Sequence, residues 1–329
     1  MIAASAAPPV LILSRSDVAA LMTAADYFDA VETGFRALHA GDAHVPPPWH
    51  IECAGGGFHA KGARLQLDQP YVALKLNGNF PGNPANGLPT IQGAILLCDG
   101  RAGSPLAIMD SIEVTLRRTA AATALAARHL ARADSSAVLI CGCGEQAAAQ
   151  LQALRETLPL ERVFAWDRER SRAERLDCAG LQRIIVEDPS EATRQSDVIV
   201  CCTTATEPFL TAEMVRPGTF IAAVGADAPH KSEVDPGVMA MAVVVVDSLN
   251  QCALMGDLHH AIDAGTMCAA DVHAELAELV AGAKDGRRHE AEVTLFDSTG
   301  TAVQDVASAV AVYQRALAHV VGQWITLGQ

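Results

Sequence analysis

Ala137-Val138-Leu139-Ile140-Cys141-Gly142-Cys143-Gly144-Glu145-Gln146-Ala147 reads as a strand, a tight turn and the first turn of a helix. Five apolar residues in a row suit a strand covered on both faces. The turn has the spacing GxGxxA. Gly142 permits the sharp reversal, Gly144 lets backbone approach a pyrophosphate, and Ala147 lets the helix pack closely on the strand. The helix N-terminus, opened by Glu145 and Gln146, favours an anion. Two glycines in an ordinary strand-to-helix turn would look similar, so the flanking sequence decides. The next strand, RVFAW, ends at Asp167, 25 positions after Gly142. A carboxylate there suits a ribose 2′-hydroxyl and points to NAD(H). Arg168, Arg170 and Arg172 follow at once and would suit a 2′-phosphate, or simply a solvated helix start. NAD(H) is preferred over NADP(H), because the carboxylate would repel a phosphate. Thr203-Thr204 closes a later strand, at the edge where such sheets bind ligands.

Outward from this loop, strand and helix signals alternate: EQAAAQLQALRETL, RVFAWD, SRAERLDCAG, RIIVED, DVIVCCTT, TFIAAVG and VVVVDS. Such alternation builds βαβ units and a parallel sheet. The half before it differs. VLILS at residues 10–14 reads as a strand, and Ser16 as the cap of a short helix. Tyr27, Val31, Phe35 and Leu38 recur at helical spacing up to a Gly41 stop. Val45-Pro46-Pro47-Pro48-Trp49-His50 must be extended. Between Gly55 and Asp99, short alternating runs punctuated by Gly and Asn read as an antiparallel sheet, and an Ala-rich helix follows from about Glu113 to Arg132. The expected architecture is α/β: a sheet domain over 1–120, a dinucleotide-binding domain over 121–304, and a last helix over 305–329 that rejoins the first domain.

Composition narrows the class. The chain has 329 residues, enough for two domains, and half are hydrophobic. With 24 basic against 38 acidic residues the net charge is −14, which disfavours nucleic acid and anionic membranes as partners. No apolar run reaches a spanning length, and the N-terminus lacks the basic start of a signal peptide. Nine cysteines, odd in number and mostly in apolar runs, read as buried thiols in a reducing cytoplasm. No zinc-type spacing occurs, and adjacent His259 and His260 diverge on a helix, so no metal is expected. Lysine is scarce: Lys61, Lys75, Lys231 and Lys284 stand against twenty arginines.

The run from Lys75 to Leu130, KLNGNFPGNPANGLPTIQGAILLCDGRAGSPLAIMDSIEVTLRRTAAATALAARHL, resembles the ornithine cyclodeaminase/mu-crystallin family. So do GCGEQA, GADAPHKSEVD and TLFDSTGTAVQD, in order across nearly the whole chain. The resemblance implies a Rossmann domain plus an antiparallel-sheet domain that makes a homodimer. It also implies roles. Lys75 matches the active-site lysine, Arg118 the arginine that binds substrate carboxylate, and Asp227 a catalytic aspartate beside the nicotinamide. Gly142, Gly144 and Gln146 match the cofactor loop, and Ser298, Thr299 and Gly300 a loop near cofactor and substrate. Lys231 and Glu233 match positions after Asp227, where a solvated loop and a supporting role are equally good readings.

The residues themselves bear on these roles. A lysine in an apolar strand either snorkels to an edge or, if buried, needs a partner or a lowered pKa. Arg117 and Arg118 point to different faces, and a planar fork suits a carboxylate. The resemblance breaks in one place. Ornithine cyclodeaminases carry an arginine just after the paired prolines, and this stretch has none. Lys61, on one strand face with His59, is expected to supply that charge, with His50 or Arg64. Reduction of an α-imino acid needs only the second half of cyclodeamination. The expected activity is therefore NAD(P)H-dependent reduction of an α-imino acid such as Δ1-pyrroline-2-carboxylate to L-proline. The alternatives are ornithine cyclodeaminase, amino-acid dehydrogenase and a non-catalytic crystallin-like binding protein.

Overall fold

A computed structural model gives the fold over residues 8–327. Residues 1–7 and 328–329 lie outside the described residues, and with them the start of the N-terminal leader reading and the outer limits of the expected domains. The chain divides into two compact units, 1–118 with 301–329, and 119–300.

In the first unit, β1 (Val10–Leu13) leads to α1 (Arg15–Leu21) and α2 (Ala24–Ala40). Ser14, not Ser16, caps α1. Its hydroxyl accepts from Asp17 N–H while the Asp17 side chain accepts from Ser14 N–H, a reciprocal box that only the serine three residues before the aspartate can make. Thr23 and Asp26 repeat the device on α2, which stops at Gly41 in the left-handed region. There follow β2 (Ala43–His44), β3 (Trp49–Cys53), β4 (Gly56–Gln66), β5 (Pro70–Asn79), β6 (Ile91–Asp99) and β7 (Pro105–Asp110). β3 to β7 pair antiparallel in succession, and β2 pairs with β4, but β1 runs parallel to β7. The sheet is thus mixed at one edge. The C-terminal helix spans Ala302–His319 rather than 305–329. Val320 takes a left-handed conformation (φ 56°), and Gln323–Ile325 forms a further strand antiparallel to β1.

Alternation along β5 gives the sheet two different faces. Tyr71, Ala73 and Lys75 point inward, where α2 and the C-terminal helix pack, while Val72, Leu74 and Leu76 point outward. The register places Trp49 and Ile51 on that same outward face. Trp49 is 72% exposed and Leu74 46%.

Helix α3 (Ser111–Leu130) contains the division between the units. The second unit then runs β8 (Ala137–Cys141), α4 (Glu145–Arg155), β9 (Arg162–Trp166), α5 (Arg170–Arg175), β10 (Gln182–Ile185), α6 (Pro189–Gln195) and β11 (Val198–Cys201). It continues through β12 (Phe220–Ala223), α7 (Pro236–Met241), β13 (Val243–Val246), α8 (Leu249–Cys252), α9 (Asp257–Asp263), β14 (Ala274–Glu275), α10 (Leu276–Val280) and β15 (Thr294–Asp297). The eight strands are all parallel, in the order β10-β9-β8-β11-β12-β15-β13-β14. The first five positions follow the doubly wound order, with its reversal at β8/β11. All five residues of β8 are fully buried, which accounts for its unbroken apolar run. No helix of the described residues is long and apolar enough to cross a membrane.

Candidate active site

In the first unit the polar residues of the inner sheet face gather around one carboxylate. Lys61 on β4 lies directly opposite Lys75 on β5. Two like charges at such a position repel. A third element, the C-terminal helix, supplies the counter-charge. Lys75 Nζ is 2.8 Å from each carboxylate oxygen of Asp305 and donates to Thr115 Oγ1 at 3.3 Å. Arg118 Nε donates to Asp305 Oδ1 at 3.1 Å, and Arg118 Nη1 to Gln304 Oε1 at 2.9 Å. Lys75 and Arg118 are each 4% exposed and Asp305 2%. Lys75 is therefore a buried ion, not a snorkelling one.

Burial pushes the Lys75 ammonium down to about 7. Asp305 pulls it back up, while Arg118 and Lys61 push it further down. Burial works against the Asp305 charge too, but Lys75 and Arg118 hold that carboxyl below its ordinary value. His50 on β3 pairs in register with His59, their Nδ1 atoms 3.3 Å apart, one pleat along the inner face from Lys61. Arg64 falls on the outward, exposed face. No sequence spacing points to Asp305 as the partner of Lys75 and Arg118. Its one local signal is a carboxylate, beside Gln304, in a stretch (302–312) otherwise built of Ala and Val with a single Ser308.

In the second unit the glycine turn follows β8 as expected, and α4 starts at Glu145 with Gly144 as its N-cap. Gly142 has φ of 92°, and a Cβ there would lie 2.8 Å from the Cys202 carbonyl oxygen, so only glycine fits. A Cβ on Gly144 would meet no atom within 4 Å, because that position opens into a cavity of about 310 Å³. Gly142, Gly144, Asp167, Arg168, Thr203 and Thr204 line it together. Asp167 Oδ2 accepts from Cys143 N–H and Oδ1 from Glu169 N–H, each at 2.8 Å, which leaves further lone pairs for ribose hydroxyls. Arg170 and Arg172 are engaged by Glu174, Glu187 and Glu169, so Arg168 is the arginine of the three that faces the cavity without a carboxylate partner. A glycine cradle at a helix N-terminus with a carboxylate opposite fits a nicotinamide dinucleotide, whose phosphates and ribose need those donors and acceptors.

Ser298 and Gly300 do not line this cavity. Both are buried, and Ser298 Oγ and Gly300 N–H donate to Asp247 Oδ2 at 3.0 and 2.6 Å. Asp227 follows β12 with its side chain 55% exposed, 2.5 Å from Lys231 Nζ. Glu233 is fully buried, although Asp227, Pro229 and His230 of the same loop are exposed. Burial, then the neighbouring Asp257 carboxyl, push Glu233 up to about 8, against the pull of hydrogen bonds from Thr203 and Gly225. Asp257 is itself pushed up to about 6 by burial. Cys143, which follows Gly142, is pushed by burial up to about 12, which leaves no thiolate at neutral pH. His259 and His260 do not converge: the first lies 3.5 Å from Asp263 and the second 2.8 Å from the Lys231 carbonyl.

The family model described as ornithine cyclodeaminase/mu-crystallin matches residues 10–319. An alanine dehydrogenase of Archaeoglobus fulgidus is 39% identical over 319 residues, 96% of this chain and 98% of that one. Among solved structures, an archaeal alanine dehydrogenase dimer with bound NAD is 39% identical, with a TM-score of 0.93 over 97% of this chain and 100% of that one. The Δ1-pyrroline-2-carboxylate reductase of Thermococcus litoralis, in complex with NADH and L-proline, is 35% identical. Its TM-score is 0.92, over 95% of this chain and 99% of the neighbour.

Proposed function

The chain belongs to the ornithine cyclodeaminase/mu-crystallin family, and from that premise we propose that it is an NAD(P)H-dependent reductase of an α-imino acid. Δ1-pyrroline-2-carboxylate, reduced to L-proline, is the first substrate to try. The observation that carries this reading is the buried Lys75–Asp305–Arg118 cluster. Imine reduction needs a proton on nitrogen and hydride on carbon. The nicotinamide, when bound, supplies the hydride. Lys75 Nζ holds the proton: Asp305 keeps it charged, and burial keeps its affinity low enough for release near neutral pH. Arg118 uses Nε and Nη1 on Asp305 and Gln304, which leaves Nη2 for a substrate carboxylate. Lys61 adds the second positive charge that the proline stretch lacks, and His50 borders it. Asp227 is the residue proposed to stand beside the nicotinamide, held by Lys231. Gly142, Gly144, Glu145 and Gln146 cradle the pyrophosphate. Asp167 takes the ribose and favours NADH, Thr203 and Thr204 wall the cavity, and Ser298 and Gly300 form a supporting loop.

Amino-acid dehydrogenase is the second reading, supported by the Archaeoglobus relative. The same cluster would serve a linear imine formed from a keto acid and ammonia. One assay separates the readings. We expect oxidation of NADH, faster than of NADPH, on addition of Δ1-pyrroline-2-carboxylate, and no ammonia from L-ornithine. Oxidation only with a keto acid plus ammonia would select the dehydrogenase. Ammonia from ornithine without net cofactor change would select the cyclodeaminase. A faster rate with NADPH would assign Arg168 to a 2′-phosphate and overturn the preference for NADH.

The outward sheet face supports a homodimer. Val72, Leu74, Leu76, Trp49 and Ile51 form an apolar patch of the kind buried between subunits. Sedimentation should give twice the 34.4 kDa chain mass, and Leu74→Asp should shift the boundary to the monomer. A wild-type chain that sediments as a monomer at micromolar concentration would sink this proposal.

A further inference from the structure

Glu233 lies in the loop between β12 and α7, where two of its polar groups hold different parts of the nucleotide cavity. Its Oε1 accepts from Thr203 N–H at 2.6 Å and from the Thr203 hydroxyl at 2.7 Å. Its Oε2 accepts from Gly225 N–H at 2.8 Å. Its backbone carbonyl accepts from Phe209 N–H at 3.0 Å. Thr203 and Phe209 both line the cavity. The Thr203 methyl also lies against the phosphate turn, 3.0 Å from where a Cβ on Gly142 would sit.

The segment is anchored from behind. Asp257, the first residue of α9, accepts from Glu233 N–H at 2.8 Å and Val234 N–H at 3.0 Å. Glu233 therefore sits on a fixed backbone and reaches two loops at once: the one after β11, which carries Thr203, and the one after β12, which leads to Asp227. Glu233 does not line the cavity itself.

Of the three groups that meet its carboxylate, the Thr203 and Gly225 N–H groups only donate, while the Thr203 hydroxyl, which accepts from Ala205 N–H at 3.0 Å, can donate or accept. A proton on Oε2 would face the Gly225 N–H, which cannot accept, whereas a proton on Oε1 has the Thr203 hydroxyl oxygen as its acceptor. The ionised carboxylate makes all three contacts, and so does a carboxyl protonated on Oε1 that donates to the Thr203 hydroxyl.

We propose that Glu233 is a positioning residue of the nucleotide cavity. It presses Thr203 against the phosphate turn, ties that wall to the loop carrying Asp227, and so sets the affinity for the nicotinamide nucleotide without touching it. This rests on reading the cavity as the cofactor site.

Two substitutions divide the requirement. Glu233→Gln keeps length and shape but must turn its amide NH2 onto either Thr203 or Gly225. Glu233→Asp keeps the charge but is one methylene too short to hold both loops. Calorimetric titration with NADH and with NADPH reads the result, beside thermal melting of the cofactor-free proteins. Both variants should bind the preferred nucleotide at least tenfold more weakly than wild type. At saturating nucleotide, the KM for the imino acid should stay within twofold. Wild-type affinity in Glu233→Gln would mean that a second acceptor oxygen is not needed and overturns the proposal. Wild-type affinity in Glu233→Asp would overturn the two-loop clamp. A lowered melting temperature with unchanged affinity in either variant would leave Glu233 a purely structural residue. A wild-type protein that binds neither nucleotide would refute the cofactor reading instead.

Discussion

Lys75→Met should lower kcat for imine reduction about 10³-fold, within the range for loss of a positioned proton donor, while NADH binds as in wild type. Methionine fills much the same space and leaves Asp305 paired one-to-one with Arg118, so the fold should survive. The wild-type pH profile should carry the same signature. Lys75 is pushed down to about 7 by burial, so its protonated fraction, and with it the rate of reduction, should fall as pH rises through about 7. Lys61 is a like charge that pushes Lys75 down. Lys61→Ala should therefore raise the Lys75 pKa and move that fall to higher pH, besides raising the KM for the imino acid. Steady-state kinetics between pH 5.5 and 9 on the three proteins check this. A Lys75→Met enzyme retaining more than about a tenth of wild-type kcat would remove Lys75 from the proton-transfer step.

The two halves of the molecule were legible to different depths, for a physical reason. The phosphate turn is a local device. Strand, glycines and helix start lie within eleven consecutive residues, and steric rules at Gly142 hold wherever the chain goes. The apolar runs of the parallel strands are similarly self-contained. The Lys75 site is not local. Asp305 lies 230 positions away in sequence, and no spacing rule connects a β5 residue to one on the last helix. Only its place in a run of Ala and Val marked it as a buried polar residue in need of a partner. Glu233 was ambiguous because a loop sequence with Lys, Ser, Glu and Asp looks solvated. Its burial follows from where the chain threads between Thr203 and Asp257. The cap of α1 turned on one contact: Ser14 and Ser16 are both plausible, and Asp17 selects the one three residues before it. The sequence overstates the last helix because Val320 carries no stop signal. Its left-handed conformation and the following strand are set by pairing with β1.

Asp305→Asn should be the most damaging single change in the first unit, and its damage should be of two kinds. The substitution leaves Lys75 and Arg118 buried with no carboxylate between them. Breaking a buried pair by removing one partner costs about 3–5 kcal/mol, and here one removal strands two cations. Thermal melting should fall by roughly 10 °C at pH 7, at a few degrees per kcal/mol for a chain of this size. Lys75→Met, which removes one of two cations and leaves the carboxylate paired, should cost far less stability. The second effect is chemical. Asp305 is the group that pulls the Lys75 pKa up against burial and against Arg118 and Lys61. Without it the ammonium drops further below about 7, so at neutral pH Lys75 has no proton to give, and kcat should fall at least a hundredfold. Lowering the pH reverses this second effect but not the first. The surviving folded enzyme should therefore gain activity towards acid pH where wild type is flat. Melting curves at pH 6 and 8, with kinetics at the same values, separate the two. An Asp305→Asn enzyme with wild-type melting and a wild-type pH profile would mean that the carboxylate neither neutralises the two cations nor sets the charge on Lys75.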